Sequence, residues 1–60
     1  MKIRITAQSG HAWEEDVRDM NEAKQRARQV AKEHGDIERV SVLDKNGYNP
    51  KDIWVCPWAN

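Results

Sequence analysis

A single capped helical segment at the centre of the chain limits the folds available to these 60 residues. Small and apolar residues recur at three- and four-residue spacing from Met20 to His34, which predicts a helix. Asp19 followed by Glu22 is a capping-box start, and Gly35 is a typical left-handed stop. A lone helix of this length must bury its apolar side against another layer, and a sheet is the expected partner.

The residues before the helix predict a β-hairpin. Lys2 to Gln8 alternate between polar and apolar residues, as in a half-buried strand. A three-residue loop, Gln8-Ser9-Gly10, pairs Ala7 with His11 and ends on the glycine that a left-handed position favours. This loop length turns the large apolar residues of a second strand, Ala12 to Val17, toward the core, whereas a two-residue loop would turn them outward.

Two further strands are predicted after the helix. Ile37 to Asp44 is rich in β-branched residues and leads into Asp44-Lys45-Asn46-Gly47, a strong hairpin turn. The fourth strand is predicted from Ile53 to Cys56, and Pro57 after it favours a place at the edge of the sheet. The order is strand, strand, helix, strand, strand, which predicts one α+β domain over residues 1–60, with a single helix on a mostly antiparallel sheet.

The charge balance and the size of the chain argue against several classes of protein. Ten lysines and arginines balance ten aspartates and glutamates, so a polybasic nucleic-acid or membrane binder is not expected. Sixty residues form a thin core without a deep catalytic pocket. The single cysteine, Cys56, forms no internal disulfide, and neither a secretory signal nor a long apolar run is present. A cytoplasmic protein that does not bind membranes is predicted.

Two resemblances accompany this order of elements. The segments MKIRITAQSGHAWEEDV, IERVSVLDKNG and DIWVCPW resemble the β-grasp architecture of ubiquitin and of immunoglobulin-binding bacterial domains. The C-terminal Trp58-Ala59-Asn60 lacks the diglycine on which ubiquitin-type conjugation depends, so conjugation is not implied. The segment DMNEAKQRARQVAKEHGDIERVSVLDKNG resembles short phage-encoded or mobile-element proteins, some anti-CRISPR inhibitors among them, which implies a non-enzymatic binder of a larger bacterial complex.

Alternation along the strands predicts the two faces of the sheet. The face toward the helix is aliphatic and contains Ile3, Ile5, Val40, Val42, Ile53 and Val55. The opposite face is mixed and contains Lys2, Arg4, Arg39, Ser41, Leu43, Trp54, Cys56 and Trp58. Because tryptophan and arginine are enriched at binding hot spots, this face supplies the first candidate binding set: Arg4, Arg39, Trp54 and Trp58.

Two alternatives for the C-terminal tryptophans stay open. In the first, Trp54 and Trp58 face inward, and Ile53 and Val55 face outward. In the second, a partner copy of the chain covers them. A homodimer that pairs edge strands near the first or the fourth strand would stabilise so small a domain.

The helix surface supplies a second candidate set. Lys24, Arg28 and Lys32 recur every four residues, which aligns them in one basic stripe. This stripe is a candidate for contact with a partner or with phosphates. An ordinary solvated helix face is the alternative interpretation. Four acidic residues precede or cap the helix, where the helix dipole already favours negative charge, although an exposed cluster would also suit a basic partner. They are Glu14, Glu15, Asp16 and Asp19.

Catalytic, metal-binding and cofactor-binding arrangements are not predicted. His11 lies at a hairpin and His34 at a helix end, without other residues at the short spacings of a zinc site. Ser9, Ser41 and Cys56 belong to no recognisable nucleophile triad, and Cys56 is expected to be a half-buried thiol. The predicted function is a non-enzymatic interaction module, a phage or mobile-element accessory or inhibitor protein that binds a larger host protein or nucleoprotein complex. The alternative is a small nucleic-acid-binding domain that uses the Trp/Arg face or the basic stripe.

Overall fold

The computed structural model of the protein describes residues 1–43 and 50–57, which form one four-stranded sheet and one helix. The strands and the helix are β1 (Lys2–Ala7), β2 (Ala12–Asp16), α1 (Met20–His34), β3 (Ile37–Leu43) and β4 (Lys51–Val55). The predicted α+β class and the predicted order of elements are confirmed. The turn predicted at residues 44–47 lies outside the described residues.

The sheet order is β2-β1-β3-β4, and each neighbouring pair of strands is antiparallel. Since β2 and β3 both run opposite to β1, they run in the same direction on either side of it. The helix connects them, which makes β2-α1-β3 a split βαβ unit. The predicted edge position of β4 is confirmed. In contrast, β1 is central and has no free edge for pairing with a second copy, so that part of the homodimer prediction is wrong.

The opening hairpin has the predicted three-residue loop. The N–H of Ala7 donates to the carbonyl of His11 at 2.7 Å, and the N–H of Gly10 donates to the carbonyl of Ala7 at 3.0 Å. Gly10 has a φ of 95°, the left-handed conformation that the loop requires. As predicted from this register, Val17 is buried and Trp13 packs against the core.

Both ends of α1 are capped as predicted. The carboxylate of Asp19 accepts a hydrogen bond from the N–H of Glu22 at 2.9 Å. At the other end, Gly35 has a φ of 72°, and its N–H donates to the carbonyl of Ala31 at 3.1 Å. The side of the helix that faces the sheet has small residues that allow a close approach: Ala23, Ala27 and Val30.

Replacement of Gly35 with alanine is expected to lower the free energy of unfolding by about 1 kcal/mol, because an L-residue is strained in the left-handed region. An added Cβ would meet open space, so backbone strain is the only cost. Urea unfolding followed by circular dichroism measures the difference. Asparagine tolerates this conformation better, so the Gly35→Asn variant is expected to lose less stability. An alanine variant as stable as the wild type would contradict this account of the cap.

The fourth strand departs from the predicted alternation. Its register with β3 shifts after Val40, whose partner is Trp54, so that Ile53 is the extra residue of a bulge. As a result, Ile53 and Trp54 both pack against the core although they are adjacent in sequence. Val55 is 55% exposed and Trp54 packs inward, so the first assignment of these two residues is wrong. The alternative that turned Trp54 inward and Val55 outward is confirmed for both, but its outward Ile53 is wrong. The other residues predicted to face the helix belong to or pack against the core: Ile3, Ile5, Val40 and Val42.

Three residues predicted for the outer face of the sheet are buried, namely Ser41, Leu43 and Cys56. Cys56 is a free thiol whose Sγ accepts a hydrogen bond from the Gln8 Nε2 at 3.8 Å. Its N–H donates to the carbonyl of Glu38 at 2.9 Å, which holds the chain against β3 beyond the end of β4. Cys56 is therefore more deeply buried than the half-buried thiol that was predicted.

Candidate functional site

The two arginines predicted for the outer face of the sheet lie there, Arg4 on β1 and Arg39 on β3. Each side chain is nearly half exposed. The Arg4 guanidinium is 3.1 Å from the carboxylate of Glu14, and the Arg39 guanidinium is 3.5 Å from that of Glu38. Both cations are therefore already paired with neighbouring acids, which weakens their attraction for an anionic partner.

The tryptophans predicted to accompany these arginines do not extend this surface. Trp54 lies opposite Val40 and packs against the core, because the bulge in β4 turns it toward the helix. Val55 occupies the position opposite Arg39 instead. Trp58 lies outside the described residues. The first candidate set is thus reduced to its two arginines in the part of the chain that the structure describes.

The second candidate set stays together on the surface of α1. Lys24, Arg28 and Lys32 are all exposed, and we call these three residues the basic face. Successive members are four residues apart, which separates them by about 6 Å along the helix axis and places them on one side. None of the three forms an ion pair with another residue in the ranges 1–43 and 50–57.

The other arginines differ from the basic face, since each lies within 4 Å of a carboxylate. Arg18 is paired on the helix surface, whereas Arg26 reaches from the helix to β2. These contacts cancel positive charge on most of the molecule and leave it uncancelled on the outer side of the helix. The pairs are Arg4–Glu14, Arg18–Glu22, Arg26–Glu15 and Arg39–Glu38.

The four acidic residues before the helix do not form one acidic surface. Glu14 points away from the helix and contacts Lys2 and Arg4. Glu15, next along β2, contacts the helix, and Asp19 is the N-cap. The alternation of the strand therefore disperses this cluster, and it does not neutralise the basic face.

An open cleft of about 580 Å³ lies where the β1-β2 hairpin meets the C-terminal end of α1. The ring centroid of Trp13 is 5.6 Å from that of His11 and 5.5 Å from that of His34. Both histidines of the chain therefore lie beside one indole ring. The remaining lining residues are Ala7, Ser9, Glu15 and Asp36.

The return path of the helix brings these residues together. β2 leads away from the hairpin, and three residues separate its end from the start of α1. A 15-residue helix is about 22 Å long, enough to run back along the sheet to the hairpin. Sequence reasoning placed each histidine at its turn but missed that the two turns meet. The available signals were this helix length and the two-residue spacing of His11 and Trp13, which puts both on one side of the strand.

A partly buried ion pair between Glu15 and Arg26 holds the aromatic wall of the cleft in place. Glu15 accepts hydrogen bonds from Arg26 Nε at 2.7 Å and Nη2 at 3.1 Å, and one from the Trp13 indole N–H at 3.0 Å. The hydrogen-bonded Arg26 guanidinium lowers the pKa of Glu15; burial opposes this shift, and the Trp13 bond adds to it. Glu15 in turn raises the pKa of Arg26, which also lies 3.7 Å from Glu33. Because its N–H is held, the Trp13 ring has a fixed orientation.

The cleft combines aromatic rings with two carboxylates, and no lysine or arginine is among the described residues that line it. No group of three histidine, cysteine or acidic side chains suited to a metal ion occurs within residues 1–43 and 50–57. Across those same ranges, no helix has the length and apolar character needed to cross a membrane.

No protein-family model, curated protein or solved structure matches this chain. The resemblances to the β-grasp architecture and to phage-encoded inhibitors therefore stay predictions.

Proposed function

We propose that this protein is a non-enzymatic interaction module that binds an acidic surface of a larger protein or nucleoprotein complex through its basic face. The supporting observation is the separation of charge on the surface. None of the three cations of the basic face lies within 4 Å of a carboxylate among the described residues, whereas each of the other arginines does. In a protein of zero net charge, one unpaired basic face orients the molecule as it approaches an acidic surface.

The rigidity of the scaffold supports this role. Capping at Asp19 and Gly35 fixes both ends of the helix, and buried small residues hold it close to the sheet. Since the backbone already sets the spacing of the three cations, binding costs mainly the entropy of their side chains. Arg4 and Arg39 provide a second contact region on the opposite side of the sheet, weakened by their existing ion pairs.

A nucleic-acid-binding domain is the second candidate, and the spacing of the basic face favours it. Cations about 6 Å apart along a helix suit a row of phosphates as well as a row of carboxylates. Neutralising three phosphates of duplex DNA gives a slope of about −2.7 for log affinity against log salt, which leaves weak binding at physiological salt. The zero net charge of the chain disfavours a partner held by phosphates alone, and an acidic protein surface is for that reason the first candidate.

We propose further that the protein belongs to the phage or mobile-element accessory class and inhibits a host complex in the cytoplasm. The resemblance of residues 19–47 to such proteins supports this proposal. A sequence with one cysteine, Cys56, which has no second cysteine to pair with, suits a reducing compartment.

The test compares two variants that remove equal charge. The first removes the basic face by the changes Lys24→Gln, Arg28→Gln and Lys32→Gln. The control removes three exposed cations from other surfaces by the changes Lys2→Gln, Arg18→Gln and Lys51→Gln. Poly-glutamate and single- and double-stranded oligonucleotides are titrated at about 50 and 200 mM salt.

We expect the affinity for poly-glutamate to fall about tenfold or more in the first variant, because exposed charge contacts contribute up to about 1 kcal/mol each. The control variant is expected to stay within about twofold of the wild type. If the wild type prefers an oligonucleotide and only the first variant loses it, the nucleic-acid candidate replaces the protein partner. Equal affinities of both variants for every probe would overturn both candidates.

A further inference from the structure

The cleft between the hairpin and the helix end carries an inference separate from the basic face. We propose that it binds a cationic side chain, an arginine or a lysine, of a partner polypeptide. Nothing in the proposed function requires this site, and its test changes different residues, so the failure of one proposal leaves the other standing.

The wall of the cleft is suited to a cation. An ammonium or guanidinium group within about 6 Å of a tryptophan ring is attracted by the negative face of its π-system. Trp13 is partly buried, and the hydrogen bond from its indole N–H to Glu15 at 3.0 Å holds the ring in place. His11 and His34 lie next to it at tilted angles of 36° and 58°, so the three rings form one aromatic cluster and are not stacked in parallel.

The charge around the cleft is negative. Asp36 is exposed at its rim, and the Arg26 guanidinium is shared by the carboxylates of Glu15 and Glu33. These four groups sum to about −2, and the C-terminal end of α1 adds the negative end of the helix dipole. An anionic ligand would be repelled, whereas a cation gains from every one of these features except Arg26.

The size and openness of the cleft favour one side chain of a larger partner. Its volume of about 580 Å³ is open to solvent, so a long side chain can enter from the surface. The methylene stem of arginine or lysine then lies along Ala7 and Trp13 while its charged end approaches Asp36. Such a site adds specificity to a protein interface, because a neutral side chain of the same shape would leave the carboxylates without a partner.

The experiment is an NMR titration of the full chain with three blocked tripeptides, namely tri-arginine, tri-lysine and tri-citrulline. Citrulline has the shape of arginine without its charge. We expect the Trp13 indole N–H signal to shift and saturate with the two cationic peptides, and to stay in place with tri-citrulline. The Trp13 signal is identified as the indole N–H signal that is lost in the Trp13→Phe variant.

Matched carboxylate variants complete the test. Asp36→Asn removes the rim charge and is expected to weaken binding about threefold, as for the loss of one exposed charge contact. Asp16→Asn removes an exposed carboxylate that does not line the cleft and should leave affinity unchanged. The proposal is overturned if tri-citrulline binds as well as tri-arginine, if neither cationic peptide moves the Trp13 signal, or if the two aspartate variants behave alike.

Discussion

Replacement of Ile5 with alanine is expected to remove about 2 to 5 kcal/mol from the free energy of unfolding. Ile5 is fully buried and lies on the central strand β1 between Trp13 on β2 and Val40 on β3. Its loss leaves a cavity that three strands and the helix must share. A domain of 60 residues has a thin core, so this change alone approaches its whole stability.

Thermal and urea unfolding of the Ile5→Ala variant measure this loss. In a domain of this size, each 1 kcal/mol lowers the Tm by roughly 4 to 8 °C, so a decrease of at least about 10 °C is expected. The matched control is Val55→Ala, because Val55 is a strand residue that is 55% exposed. Its effect is expected to stay within about 0.5 kcal/mol. Similar losses in the two variants would contradict the placement of the core on the inner side of β1.

The Arg26→Met variant has the second largest expected effect. Arg26 holds Glu15 through two hydrogen bonds, and the side chains of the pair are only 28% and 27% exposed. Methionine preserves much of the packing but leaves the Glu15 carboxylate without its partner. Loss of hydrogen bonds between charged groups costs roughly 1 to 3 kcal/mol at such a site. Because Glu15 also anchors the Trp13 indole, the aromatic wall of the cleft is expected to loosen in this variant.

The exposed pair Arg18–Glu22 provides the control for this prediction. The side chain of Arg18 is 85% exposed, so Arg18→Met is expected to change stability by less than about 0.5 kcal/mol. Urea unfolding of both variants at neutral pH gives the comparison. If Arg18→Met lowers the free energy of unfolding as much as Arg26→Met, the partial burial of the Arg26–Glu15 pair does not make it more stabilising than the exposed Arg18–Glu22 pair.

The pH dependence of the same variant tests the cause. Arg26 lowers the pKa of Glu15 below its ordinary value of 4.5 in the folded protein. The contribution of Glu15 to stability is therefore fully present above the unfolded value and is lost as the pH falls through the lower, folded value. The difference in stability between wild type and Arg26→Met should accordingly shrink below about pH 4. A difference that stays constant in acid would mean that Arg26 stabilises the fold by packing alone.

The features that could be predicted from the sequence are those set by local chemistry. The bounds of α1 follow from Asp19, whose side chain caps the first turn, and from Gly35, whose left-handed conformation ends the last turn. The three-residue loop of the first hairpin likewise follows from the position of Gly10 and from the need to bury Trp13 and Val17.

The features that were missed depend on contacts between distant segments. The sequence left the orientation of Trp54 open between the two faces of the sheet, and the bulge that turns it inward is a property of the pairing between β3 and β4. Likewise, His11 and His34 are far apart in the sequence, and only the path of the helix brings them to Trp13. A candidate site assembled from residues on three different elements leaves no periodic signal in the chain. The basic face was predictable because it belongs to one helix.

The central position of β1 also determines the order in which the molecule can be completed during synthesis. The first strand pairs locally with β2, but its other neighbour is β3, where Lys2 pairs with Leu43. Without β3, the edge of β1 that faces away from β2 is open, and Ile3 and Ile5 lack part of their cover. Open strand edges and uncovered apolar residues favour aggregation. The helix precedes β3 in the sequence and packs on the same core, so it is the element able to shield this surface while the sheet is incomplete.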